Sequence, residues 1–148
     1  MWKTLNNLRN NQVIIPLIPA LAVLVDYGLT FLFAGSKAMI LQWESSPLLK
    51  FATMNDLIFV YITGIMLFYY CMAYIVLKLL YRSSVYGIGV ALILIISITH
   101  VLGGLSWYFR SALYSNTIYG VSLISIIIAI ALFGYVAIRH PDGSIHTS

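Results

Sequence analysis

The sequence predicts an all-α integral membrane protein. It should have four transmembrane helices, an interfacial or re-entrant segment between the first two, and both termini in the cytoplasm. Three observations carry that expectation. Of 148 residues, 61% are hydrophobic. Asp, Glu, Lys and Arg together make up only 8%, where a soluble domain carries about 25%. Four apolar runs, each long enough to cross roughly 30 Å of hydrocarbon at 1.5 Å per residue, account for most of the chain. A membrane barrel would show short segments alternating in polarity, and that pattern is absent. One domain over 1–148 is expected, with helices at about 13–33, 57–80, 85–107 and 118–138.

The opening stretch MWKTLNNLRNNQ is polar and basic, and reads as a short arm at the membrane surface. The first span follows, with Pro16 and Pro19 in its opening turns, where a missing amide donor costs least. Its roughly 21 apolar residues exceed the about 7–15 of a signal-peptide core, so a retained helix is expected rather than a cleaved leader. Gly35 is placed to cap its C-terminus. The segment 36–54, SKAMILQWESSPLLKFATM, is too short to span and too apolar for an aqueous loop. An interfacial or re-entrant path fits it, with Trp43 at headgroup depth. Asn55 or Asp56 is expected to cap the second span. YRSS closes that span, the third begins near Val85, and the fourth near Ile118. Pro141 stops the helix before a polar tail carrying His140 and His146.

Orientation follows from the basic residues. Lys3, Arg9, Lys78, Arg82 and Arg139 fall on one side of this topology, and Lys37, Lys50 and Arg110 on the other. The larger group belongs in the cytoplasm, giving a multi-pass protein of the cell membrane. A net charge of +4, with the bases scattered, argues against a nucleic-acid surface. Cys71 is the only cysteine, so neither an intrachain disulfide nor a cysteine metal cluster can form.

Ionisable groups inside the spans are the functional candidates, because a charge in hydrocarbon is costly. Asp26 sits within LAVLVDYGLTFLFAG, with Thr30 one turn further along the same face. His100 sits in IISITHVLGGLSW, with Ser97 on its face and Gly103 and Gly104 one turn on. Counting along the helices puts both ionisable groups roughly 10 Å below the outer surface. Thr63 in the second span and Ser122 and Ser125 in the fourth fall at comparable depth. The inner halves offer mainly Tyr69, Tyr70, Cys71 and Tyr74. A polar site should therefore open outward beneath segment 36–54, and Glu44 is the residue of that segment able to reach it. Asp26, Thr30, Glu44, Ser97 and His100 are the expected binding residues. Asp26, Glu44 and His100 also have the donor chemistry of a divalent-metal site, although no HExxH-type spacing occurs. The plainer alternative is a structural hydrogen bond between Asp26 and His100, or to nearby hydroxyls, that holds helix register.

The pair DYGLT and ESSPLLK resembles a group of small, largely archaeal prokaryotic membrane proteins. Their first helix carries Asp-Ala-x-x-Thr, followed after a short gap by a Glu-Ala-Asn-Pro-Leu type motif. Asp26 and Thr30 match the first motif, and Glu44, Pro47 and Leu48 the second. Tyr27 stands where that group has Ala, and Ser45-Ser46 where it has Ala-Asn. The resemblance implies that Asp26, Thr30 and Glu44 belong to one constellation, and it implies no activity. The expected function is a binding or accessory subunit of a membrane complex, with the lipid bilayer and other membrane subunits as partners. The alternatives are a membrane-embedded enzyme, metal-dependent or not, acting on a lipidic substrate, and a proton or ion pathway.

Overall fold

The computed structural model describes residues 11–81 and 83–139. Lys3, Arg9, Arg82, His140 and His146, on which the sequence reading drew, lie outside the described residues. Six α-helices and no strand occur among those described: α1 Ile14–Ala34, α2 Lys37–Trp43, α3 Pro47–Met54, α4 Ile58–Leu80, α5 Tyr86–Phe109 and α6 Ala112–Arg139. Four of them, α1, α4, α5 and α6, are long and apolar enough to cross a membrane.

Several boundaries have a local cause. Asn11 opens α1: its Oδ1 accepts from the backbone N–H of Val13 and of Ile14, and its carbonyl accepts from Ile15. Gly35 closes α1 in the left-handed region at φ 72°, as expected. Segment 36–54 folds as two short helices. Ser36 caps α2 through Met39 N–H, and Ser46 caps α3 through Leu49 N–H with Pro47 in the first turn. Asn55 and Asp56 do not cap α4. Asn55 instead closes α3 by giving both its backbone and side-chain N–H groups to the Phe51 carbonyl. Asp56 takes a positive φ of 56° and turns its carboxylate to Lys37, clasping the two ends of the α2–α3 segment. The last span starts at Ala112, six residues before its expected start at Ile118. Arg110 adopts a left-handed φ of 48°, and Ser111 Oγ then accepts from Tyr114 N–H, so the turn is far tighter than the polar run suggests.

The helices alternate in direction. α1 packs most extensively on α5 and next on α4, while α6 packs on α5. Ile15 of α1 lies in a buried cluster with Ile93 of α5 and Leu77 of α4, near the end where α1 starts. At the opposite end, Arg110 Nη2 donates to the Phe33 carbonyl, and Tyr27 meets Tyr61 near the start of α4. So α1 and α5 run parallel, with α4 antiparallel beside them. Their contact is close because it is made by small residues: a Cβ added at Gly104 would lie 2.7 Å from the Asp26 carbonyl oxygen. The outer faces carry large apolar side chains, such as Phe59 at 86% exposure and Leu32 at 69%. That surface suits hydrocarbon rather than water.

Candidate functional site

Because α1 and α5 run side by side in the same direction, residues at similar helical positions share a depth. Asp26 is eight residues from the C-terminal end of α1 and His100 nine from that of α5. Both therefore lie about 12–14 Å along the helix from those ends. Their side chains meet: His100 Nδ1 and Asp26 Oδ2 are 2.9 Å apart. Each group is mostly shielded, with 21% and 18% of the side chain exposed. Whichever atom holds the shared proton, both groups are hydrogen-bonded, which is the condition for keeping them in a low-dielectric interior. The glycines allow this geometry. Gly104 lets the two backbones touch, and at Gly103 an added Cβ would sit 3.8 Å from each carboxylate oxygen, so nothing crowds Asp26 from that side. Tyr69 of α4 supports the imidazole from another direction, its ring edge-on at a centroid distance of 4.7 Å.

Two spaces flank this pair. On one side lies a cleft of about 200 Å³ between α1, α5, the α2–α3 elbow and the first turns of α6. Asp26, Tyr27, Thr30, Glu44, Ser106 and Trp107 contribute to its walls. On the other side lies a groove of about 450 Å³ bounded by α1, α4, α5 and α6. Its walls are apolar, with Met72, Val76, Leu92, Ile96 and Ile126 among them, and His100, Tyr69 and Ser122 supply its few polar groups. The Asp26–His100 pair thus stands between the two spaces: the carboxylate borders the polar cleft and the imidazole borders the apolar groove.

The elbow is built to hold its shape over the cleft. Glu44 ends α2, and its Oε1 accepts from Ser46 N–H at 2.8 Å at the start of α3. Ser45 Oγ lies 2.9 Å from the Tyr119 hydroxyl of α6, and Tyr114 donates its hydroxyl to the Leu102 carbonyl. Tyr27 and Tyr61 hydroxyls, 2.7 Å apart, tie α1 to α4 beside the pair.

Of the residues expected from sequence, Asp26, Thr30 and Glu44 border the one cleft, and His100 bonds directly to Asp26. Ser97 is buried, but its hydroxyl donates to the Ile93 carbonyl of its own helix and not to the pair. Ser125 is spent in the same way on Val121, and Thr63 is exposed on the outer face of α4. Ser122 borders the groove rather than the cleft. Among the described residues, no three His, Cys, Asp or Glu side chains come together as a metal site, so Glu44 does not join Asp26 and His100 as a third ligand. Tyr69, Ser106 and Tyr119 were not singled out by sequence reasoning as site residues. Counting along the sequence puts Tyr69 in the inner half with the other tyrosines of its helix, and only its register against α5 brings it to His100. Ser106 was legible in principle, one helical turn past Gly103 on the same face.

Comparison of the chain with protein-family models, with curated proteins and with solved structures finds no match.

Proposed function

We propose that this protein is an intramembrane binding subunit for an amphipathic molecule. The polar end of the ligand enters the cleft above Asp26, and its apolar part lies along the groove beyond His100. The observation that carries this reading is the placement of the pair: one hydrogen-bonded Asp–His pair where a polar space and an apolar one adjoin it from two sides. The volumes agree with it. The groove, at about 450 Å³, falls in the range of roughly 300–1,000 Å³ typical of small-molecule sites, whereas the cleft suits only a polar fragment. The likeness of DYGLT and ESSPLLK to the small prokaryotic membrane proteins supports grouping Asp26, Thr30 and Glu44 in one site.

In this reading the α2–α3 segment is the interfacial lid of the cleft. The chain sits in the cell membrane with both ends in the cytoplasm, which the distribution of Lys and Arg supports. Lipid extraction and mass spectrometry of the protein purified in mild detergent test the binding role. The wild type should retain one amphiphile in stoichiometric amount. Asp26→Asn should retain less, and Ala129→Phe, which fills the groove wall, should retain none. An unchanged, bulk-like lipid profile in all three would overturn the proposal.

A second reading, a membrane-embedded enzyme acting on a lipidic substrate, is favoured by one observation. Asp26 engages Nδ1 of His100, and Nε2 has no partner among the described residues. A ring held this way is suited to general acid–base work. Turnover of a fluorogenic long-chain ester that disappears with His100→Gln would select this reading over simple binding.

A further inference from the structure

We infer that the cleft receives an organic ammonium group, so that the ligand is an amine-bearing amphiphile. This rests on the reading of the cleft and groove as one amphiphile site. The first observation is charge. Asp26 and Glu44 both border the cleft, and no Lys or Arg does. Lys37 pairs with Asp56, Arg110 donates to the carbonyls of Phe33 and Trp107, and Lys50 does not border the cleft. His100, on the far side of Asp26, supplies one positive charge at most against two carboxylates. Two carboxylates lining one small cleft favour a cation between them.

The second observation is independent of charge. Thr30 borders the cleft, is 3% exposed, and its hydroxyl has no hydrogen-bond partner among the described residues. A hydroxyl that reaches the cleft and bonds no protein group is free to bond a ligand there. With His100 on Oδ2 of Asp26 and Ser46 N–H on Oε1 of Glu44, one oxygen of each carboxylate stays open. Those two oxygens and the Thr30 hydroxyl are three acceptors, matching the three N–H donors of a primary ammonium. Trp107, Tyr27 and Tyr119 add aromatic rings to the same walls, and such rings attract cations.

Other ligand chemistries fit less well. An anion would face two carboxylates. A neutral polyol would leave the Glu44 charge uncompensated. A divalent metal would lack the third His, Cys, Asp or Glu ligand among the described residues.

The test uses two probes with the same chain, dodecylamine and dodecanol, added to the full-length protein in the neutral detergent dodecyl maltoside. Binding is read from tryptophan emission in a Trp2→Phe, Trp43→Phe background, where Trp107 is the remaining indole. Dodecylamine should bind saturably and at least about tenfold more tightly than dodecanol. Glu44→Gln, which preserves an oxygen for Ser46 N–H, should reduce that preference to less than about threefold, as should Thr30→Val. Circular dichroism and the retained binding of dodecanol establish that each variant is folded. Equal binding of the two probes, both abolished by Ala129→Phe, would overturn the ammonium assignment and leave the amphiphile site standing. Saturable binding of neither probe would overturn both.

Discussion

Replacing Asp26 by alanine strips Nδ1 of His100 of its partner, whereas asparagine keeps an oxygen within the same reach. Interhelical hydrogen bonds in membranes are worth about 0.6–2 kcal/mol. Asp26→Ala should therefore cost stability of that order, and Asp26→Asn clearly less, when unfolding is followed in mixed micelles. Equal losses would mean that the pair does not hold α1 to α5. Glu44 makes a similar contrast. Alanine removes the acceptor of Ser46 N–H, a hydrogen-bond loss of about 1 kcal/mol, while glutamine retains it. Faster hydrogen exchange across residues 46–49 in Glu44→Ala but not Glu44→Gln would register the difference. The oddness of Asp26 and His100 was visible in the sequence, because ionisable groups in apolar runs need no neighbours to stand out. The spending of Ser97 and Ser125 on their own helices was not. A hydroxyl in a helix can always bond back to the preceding turn, and sequence does not say which choice it makes.

At the scale of elements, the glycines rank themselves by what stands opposite. An added Cβ at Gly104 meets the backbone of Asp26 at 2.7 Å, which cannot yield without moving α1. At Gly89 it meets the Leu80 Cδ1, the free end of a side chain that can rotate away. At Gly103 the nearest atoms are 3.8 Å distant, an ordinary contact. Gly104→Ala should thus be the most damaging of the three, Gly89→Ala intermediate and Gly103→Ala nearly silent, as measured by melting temperature in detergent. The Lys37–Asp56 clasp is exposed on both sides, and an exposed ion pair is worth at most about 1 kcal/mol. Lys37→Ala should leave the melting temperature within a few degrees of wild type. A large loss would show that the clasp holds the elbow over the cleft. The long helices were legible as apolar runs. The caps around segment 55–57 are not legible in the sequence, because Asn and Asp serve helix starts, helix ends and turns equally well.

For the whole molecule, the proposed orientation makes a direct prediction. In a Cys71→Ser background, a cysteine replacing Ser111 should react with a membrane-impermeant maleimide added to intact cells, and one replacing Ser84 should not. The reverse pattern would invert the topology and place the cleft on the cytoplasmic side. Composition and run length by themselves determined that this chain forms a bundle of four apolar spans, since hydrocarbon tolerates only segments that satisfy their own backbone. They also determined which two ionisable side chains would lie deep within it. Only the tertiary structure decided that α1 and α5 are parallel neighbours in glycine-mediated contact, so that Asp26 and His100 meet. It alone placed a polar cleft and an apolar groove on opposite sides of that pair. The physical reason is that span depth is written along one helix, whereas contact depends on the rotation and neighbour of each helix. On chains apolar all round, no amphipathic stripe marks that choice in the sequence.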